Sequence, residues 1–543
     1  MKHTAKRLVC LLLVCLILAG CNTAAPGKPG AALDTQKNLE QIALLGTSPD
    51  DNYRTFYEVF VYSYCDSDGN GIGDFNGLTS KLDYLQNLGI QGLWLMPIHP
   101  SQSYHKYDVR DYYDIDPQYG TLADFDAFMA ECQKRDIHVI IDLVLNHTGD
   151  DHEWFLTACE YLRSLPAGAE PNPAECKYVD YYFFSREAGA KYHQVPGSDW
   201  YYEGQFSPDM PDVNFECEDV WTEIEDIMKF WIGKGVAGFR LDAAKEFYSG
   251  SVSRNVEVLS RIQQTATSIK PDCYLVAEVW ENFGQIAKYY ESGITSIFNF
   301  AFGNNDGKIV QVIRAAGNGG TVSTYAPALE KADKAYLAAN PNYIDAPFLS
   351  NHDVGRIAGF ANRDPNKIKM AGAMNVLMGG SCFIYYGEEL GMPGSGNDPS
   401  KRAPMLWNEA RDNGTTNPPP DCSLPEEYPL GSLEVQMGDD ASVYNYYRQI
   451  IAIRNAMPEI ARGRVTAETA LNVGCVSAQR KTWEDKTCII LMNIDEAAAQ
   501  VDLSAYADWS MVASVSANGE KISQKGATLN LPAYGLAILR PNS

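Results

Sequence analysis

The 543-residue chain is short of cationic side chains: 44 Lys and Arg stand against 69 Asp and Glu, a formal net charge of −25. A polyanionic partner would meet a repulsive average field, so the deficit argues against nucleic acid and against anionic membrane surfaces. It fits a neutral or cationic ligand, Ca²⁺ in particular. Beyond the first twenty residues no apolar run is long enough to cross a bilayer. The thirteen cysteines show no CxxC or related spacing, which removes a zinc pattern, and there is no internal repeat. Disorder is excluded too, because 45% of the residues are hydrophobic and 21% charged, with nine Trp and 32 Tyr. At roughly 100–200 residues per domain the length allows about two to four domains, one of them large, with a substantial core.

The N-terminus reads as targeting. Lys2, Lys6 and Arg7 form a basic n-region, and Leu8 to Leu18 an apolar h-region too short to span a membrane comfortably. Leu18-Ala19-Gly20-Cys21 then resembles a bacterial lipobox, which makes Cys21 the lipidated first residue of a mature chain and residues 1–20 a signal peptide. The chain would be extracytoplasmic and membrane-attached through the lipid. Residues 21–48, with NTAAPGKPG at 22–30, read as a tether. Of the other cysteines, Cys159 and Cys176 bracket a Pro-rich loop and are candidates for a disulfide, as are Cys475 and Cys488 on two expected adjacent strands.

From about 55 to 395, short β-rich apolar runs alternate with helical patterns, which argues for βα units and a parallel sheet. The runs are 55–62, 92–98, 138–145, 235–241, 273–280, 346–350 and 382–386, with one more near 296–302. Eight such strands close a (β/α)₈ barrel. Residues 148–212 are Tyr-, Pro- and Gly-rich without sustained helical periodicity, too long for a βα loop, and are expected to form a small inserted domain. The barrel thus occupies 49–147 and 213–456. From 457 to 543, alternating strands such as KTWEDKTCIILMNID predict an antiparallel β-sandwich domain.

Ionisable residues cluster where these runs end: Asp142, Asn146 and His147; Arg240 and Asp242; Glu278; His352 and Asp353; Glu388 and Glu389. Barrel enzymes place their sites on that rim. One carboxylate in an apolar strand is ordinary core chemistry, but several on one rim cost desolvation unless they are paired or used.

IDLVLNH (141–147), GFRLDAAKE (238–246), AEVW (277–280) and FLSNHD (348–353) resemble, in order, the four signature segments of glycoside hydrolase family 13, the α-amylase family. YHKYDVRDYYDIDPQYG (104–120), MPDVN (210–214) and YYGEELGM (385–392) extend the resemblance over nearly all of 50–543. It implies Asp242 as nucleophile, Glu278 as general acid/base and Asp353 as third carboxylate, the pair of roles that a retaining glycosidase needs plus a group gripping the distorted sugar. Arg240, two residues before Asp242 on the same strand face, would pair with its charge. The resemblance further implies that Tyr107 stacks on the cleaved sugar with His105 beside it, and that Arg240, His147, His352 and Lys245 contact substrate. The substrate implied is an α-1,4-glucan, starch or maltooligosaccharide, and the protein a monomer. A cyclomaltodextrinase-like or α-1,6-cleaving enzyme, a transglycosylase, and a non-catalytic glucan-binding lipoprotein are the alternatives. MPDVN and KRAPMLW (401–407) echo the oligosaccharide-cleaving branch, as in the intermediate group of bacterial α-amylases.

Asp66, Asp68, Asn70, the Ile72 carbonyl and Asp74 supply oxygens at positions 1, 3, 5, 7 and 9 of a loop with Gly71 at its sharp turn, the start of an EF-hand pattern. Gly77 stands where an EF-hand has Glu, so the loop instead resembles the Ca²⁺ loop after the first strand in bacterial family members. A second Ca²⁺ between barrel and insertion is in doubt, because Glu246 stands where many members have His; Asn146 matches another of its ligands.

Overall fold

The computed structural model describes residues 34–542; the expected signal peptide and Cys21 fall outside them. Eight parallel strands form one sheet: Thr55–Val59, Gly92–Leu95, His138–Leu143, Gly238–Leu241, Tyr274–Ala277, Ser296–Phe298, Ile344–Ala346 and Cys382–Tyr385. Neighbours in the sheet are neighbours in sequence, and the eighth strand lies beside the first. The seam between strands seven and eight is narrow, held by Ser381 N–H to the Asp345 carbonyl (2.7 Å) and Phe383 N–H to the Pro347 carbonyl (2.8 Å). Strand seven ends earlier than its apolar run (346–350) suggests, because Pro347 has no N–H to continue a ladder. Helices surround the sheet. Glu218–Gly233 is typical: two acidic residues open it, and Val220, Ile224, Ile227, Met228 and Trp231 bury one face at helical spacing.

Alternation along the strands sorts side chains between the barrel interior and the helices. Phe56, Trp94, Ile140, Tyr274, Val276, Phe298 and Phe383 share one interior cluster. Phe56 stacks on Tyr274 and Phe383 at centroid distances of 5.2 and 4.9 Å. The same alternation carries Glu58, Asp142 and Arg240 inward one step above this aromatic plug. Charged side chains therefore sit on an apolar floor that excludes water from below.

Between strands three and four the chain leaves the barrel, forms the helix Glu153–Ser164 and a three-stranded antiparallel sheet, and returns through bridges His147–Asp212 and Tyr182–Val213. Helical periodicity is present here after all: Phe155, Ala158, Cys159 and Leu162 form the buried face of that helix. At the C-terminus, a five-stranded and a three-stranded antiparallel sheet enclose Ile489, Leu491, Leu529, Leu531 and Leu539.

Two expectations are corrected. Residues 34–48 are not an extended tether, because Thr35–Ala43 is a helix whose Asn38 amide donates to Gln449 Oε1 (2.6 Å) and to the Ser514 carbonyl (3.5 Å), joining the barrel's last long helix, Val443–Ala456, to the C-terminal sheets. The ten cysteines of the described residues are free thiols. Cys488 pairs with Lys481 in the hairpin, whereas Cys475 lies near Ile494, about 20 Å further along, far beyond disulfide reach. Cys159 and Cys176 are both buried without a bridge.

Barrel closure depends on close backbone approach at Gly238, where a Cβ would sit 1.8 Å from the Tyr274 carbonyl oxygen. Gly238→Ala is therefore expected to cost about 3 kcal/mol or more in urea unfolding; a loss below about 0.5 kcal/mol would contradict this packing.

Candidate active site

Asp142, Asp242 and Glu278 converge on Arg240, whose side chain is almost wholly buried, whereas Glu388 and Glu389, expected on the same rim, lie outside the cleft and accept from Tyr447 and from Tyr57 and Tyr84. Its Nη1 donates to Asp142 Oδ1 (2.8 Å) and Oδ2 (3.0 Å) and to Asp242 Oδ1 (2.6 Å). Its Nη2 donates to Glu278 Oε2 (2.8 Å). Asp242 and Glu278 thus share one rigid fork, which holds their bonded oxygens within about 8 Å of each other. The Ala243 N–H also donates to Glu278 Oε2 (2.9 Å), from a backbone held at φ 45°. Such a left-handed non-glycine residue persists only where its surroundings impose it. Arg240 was expected among the substrate contacts; instead it lies behind the carboxylates and turns them outward, so that Asp242 and Glu278 keep 11% and 13% side-chain exposure.

Asp353 approaches from the opposite side. Arg402 Nη2 donates to its Oδ1 (2.9 Å), and His352 Nε2 lies 3.0 Å from its Oδ2. Tyr107 joins the two halves: its hydroxyl lies 2.6 Å from His352 Nε2 and donates to Asp142 Oδ2 (3.2 Å). Behind His352, Glu58 Oε1 lies 2.7 Å from Nδ1.

Burial drives the electrostatics. It raises Asp142 to about 7 against the pull of Arg240. It also raises Glu278, opposed by Arg240 and helped by Asp242 and Asp353, so that its carboxyl keeps its proton to higher pH than an exposed glutamate does. Burial would lower His352, but the flanking Asp353 and Glu58 carboxylates carry it up to about 9. For Asp353, burial is outweighed by His352, Arg402 and Arg240, which hold it well below the usual carboxylate range. Burial lowers His147, and its Nε2 has no partner among the described residues, so a neutral imidazole edge is free at the cleft wall.

Above these groups opens a cleft of about 700 Å³. Tyr104, His105, Tyr107, His147, Lys245 and Arg402 line it with the three carboxylates, and Phe206 and Met210 of the insertion and Trp280 add an apolar wall. Trp280 stacks on Phe300 (4.9 Å, 19°), which holds its ring in place. Every residue expected to act on substrate is in or directly behind this cleft. Glu58, Arg402 and Phe206 were not singled out, and Asp142 was placed on the rim without a role. A lone Glu in an apolar strand run was the available signal for Glu58.

The oxygen-rich loop after strand one places carboxylate oxygens of Asp66, Asp68 and Asp74 within 4.8 Å of one another. Among the described residues, no Lys or Arg nitrogen lies within 4.0 Å of them. The loop's own N–H groups orient them: Asp68, Gly69 and Gly71 donate to Asp66, and Ser67 and Gly77 to Asp74. Asn70 accepts from Ile72 N–H. Three crowded carboxylates without a cationic side chain form a hard-oxygen donor set that suits Ca²⁺. The second position differs. Asn146 donates to Asp212 Oδ1 (3.3 Å), the Gln205 N–H to Asp212 Oδ2 (3.1 Å), and the Gln205 amide to the Glu246 carbonyl (3.1 Å). These groups satisfy one another, and burial raises Asp212 to about 7.

Comparison with known proteins agrees with this geometry. Residues 58–463 match the family described as alpha amylase, catalytic domain. Alpha-amylase 3 of Dictyoglomus thermophilum is 38% identical over 446 residues, spanning 81% of this chain and 84% of that protein. A glucan 1,6-alpha-glucosidase of Streptococcus pneumoniae is 30% identical over 73% of this chain and 83% of its own. The solved structure of Eubacterium rectale Amy13B superposes with a TM-score of 0.89 at 45% identity, covering 93% of this chain and 99% of that one.

Arg240→Met is expected to lose about 3–5 kcal/mol, because it strands buried carboxylates without their cation. Without Arg240, Asp142 and Glu278 rise further, and the folded state holds protons that the unfolded chain has released. The variant's stability should therefore fall more steeply than the wild type's between pH 4 and 8. Parallel pH dependences in urea unfolding would contradict the arrangement.

Proposed function

The chain belongs to the α-amylase family of glycoside hydrolases, and on that premise we propose that it hydrolyses internal α-1,4 bonds of starch or maltooligosaccharides with retention at the anomeric carbon. The observation that supports this is one guanidinium presenting Asp242 and Glu278 to a cleft faced by Asp353. In the reaction, a carboxylate oxygen of Asp242 attacks the anomeric carbon while the Glu278 carboxyl gives its proton to the departing glycosidic oxygen. The ester so formed is cleaved by water, whose proton Glu278 takes back. Asp353 and the His352 cation hold sugar hydroxyls as the ring flattens, and His147 accepts or donates at another hydroxyl. Tyr107 offers its ring to the cleaved sugar, and Phe206 and Trp280 offer apolar surface to the next units.

The α-1,4 reading is favoured over α-1,6 by the greater similarity to an α-amylase than to a 1,6-glucosidase. All three carboxylates stand in place, which disfavours a binding-only role. The Asp66–Asp74 loop, with Asn70 and the Ile72 carbonyl, would hold one Ca²⁺; the ion would stiffen the loop between strand one and the helix that Asp74 caps. The chain supplies the whole cleft by itself, so we take it to act as a monomer. The lipobox-like segment supports attachment through Cys21 outside the cytoplasm.

Asp242→Asn is expected to abolish turnover of maltooligosaccharides while leaving the melting temperature near wild type, and Glu278→Gln to lower kcat by about 10²–10⁴-fold. Product released by the wild type should appear first as the α-anomer by NMR; a first-formed β-anomer would contradict retention. Chelation should lower the melting temperature by mass action on a site absent from the unfolded chain, and Asp66→Asn should remove that response. A melting curve unmoved by demonstrated metal removal would count against the ion.

A further inference from the structure

We propose that Glu58 is a positioning residue for this reaction, its carboxylate clasping Nδ1 of His352 so that the ring stays a doubly protonated cation fixing Asp353 and Tyr107. The inference rests on the hydrolase reading above and adds to it a group that touches neither sugar nor reacting atoms.

Glu58 points inward from strand one, and its side chain is 2% exposed. Its Oε1 receives two hydrogen bonds from His352, 294 residues away: Nδ1 at 2.7 Å and the backbone N–H at 3.3 Å. On the far side of the ring, Nε2 faces the Tyr107 hydroxyl at 2.6 Å and Asp353 Oδ2 at 3.0 Å. A carboxylate only accepts. A neutral ring with its proton on Nδ1 would turn the Nε2 lone pair onto Asp353, and one with its proton on Nε2 would turn Nδ1 onto Glu58. With Glu58 and Asp353 ionised, only the cation satisfies both sides; burial raises Glu58, and the facing His352 charge and Arg240 oppose that rise. With Nε2–H shared between Asp353 and the Tyr107 oxygen, the phenol hydrogen is free to meet Asp142, which Arg240 already holds.

Other groups around the ring fit this arrangement. Trp94, from strand two, meets it edge-on at 5.6 Å. Asp142 reaches it through Tyr107, and Arg240 donates to that same hydroxyl at 3.3 Å. Arg402 binds the His352 carbonyl through Nε and Asp353 through Nη2. Tyr385, on strand eight, is a phenol that burial keeps neutral beside Glu58. Burial opposes the charge on His352, and the two flanking carboxylates overcome it, giving about 9. Glu58 thereby keeps the sugar-gripping pair charged across the neutral pH range.

The test is E58Q, which keeps the shape and removes the charge, assayed beside wild type for kcat/KM on a maltooligosaccharide from pH 5 to 9. Wild type keeps the His352 cation through pH 8, so its basic limb reports Glu278 alone. In E58Q the ring should return toward an ordinary imidazole value of about 6.5, leaving about 3% of it cationic at pH 8, so that the ratio of kcat/KM in E58Q to that in wild type should fall about thirtyfold between the acidic plateau and pH 8. A purely structural carboxylate would lower activity equally at every pH, and profiles that superimpose after scaling would overturn the proposal. NMR of ¹⁵N-histidine-labelled protein, with the His352 signal identified by its loss in folded His352→Gln, reads the ring without needing turnover or the E58Q variant. A cationic wild-type ring at pH 7.5 is expected; a neutral one overturns the proposal. Absence of wild-type turnover would instead overturn the hydrolase reading, and the ring's charge would still decide the role of Glu58.

Discussion

A single buried guanidinium organises this protein's chemistry. Arg240 is drawn into the barrel by strand alternation, where its four charge-assisted bonds reach strand three and the ends of strands four and five. Moving one cation and three carboxylates out of water costs several kcal/mol per ion, and an apolar core of the same volume would often be at least as stable. Such a cluster is poor evidence for stability and good evidence for work done at the rim. The aromatic layer of Phe56, Tyr274 and Phe383 beneath it is what makes the low dielectric possible. That low dielectric in turn raises Glu278 and strengthens every contact that orients Asp242.

The cleft also answers the charge imbalance of the chain. The protein carries a net −25, yet the carboxylates at the cleft are met by Arg240, Arg402 and His352. Surplus acidity lies elsewhere, partly in the Asp66–Asp74 loop, and a neutral polysaccharide feels little of it. What a glucan meets at the cleft is apolar wall and directional hydrogen bonding: Trp280 braced by Phe300, Phe206 against His147 at 5.5 Å, and the unpartnered Nε2 of His147.

Much of this was legible from residues alone. Strands announced themselves as apolar runs, and their ends announced Asp242, Glu278 and Asp353, because a barrel forces those ends onto one rim. Contacts between distant segments were not legible. Glu58 looks like one polar residue in TFYEVFVY until strand one is set beside the loop carrying His352. The helix Thr35–Ala43 is hard to separate from a tether because its partner, the helix Val443–Ala456, lies some 400 residues on. Strand seven was misplaced by following hydrophobicity past Pro347, and the suggested Cys475–Cys488 bridge fails on hairpin register, which the cysteine spacing does not reveal. Arg240 was identified, yet its place behind the carboxylates follows only from the inward pleat of its strand.

The account stands or falls on Asp242 forming a covalent bond to the sugar under the hold of Arg240. Incubation with a fluorinated α-glucosyl fluoride, which forms the glycosyl ester faster than water cleaves it, followed by peptide mass spectrometry, tests that directly. The expected result is one glycosyl adduct per chain on the peptide carrying Asp242. An adduct on Glu278 or Asp353 instead, or continued turnover with no adduct and inverted product, would contradict it.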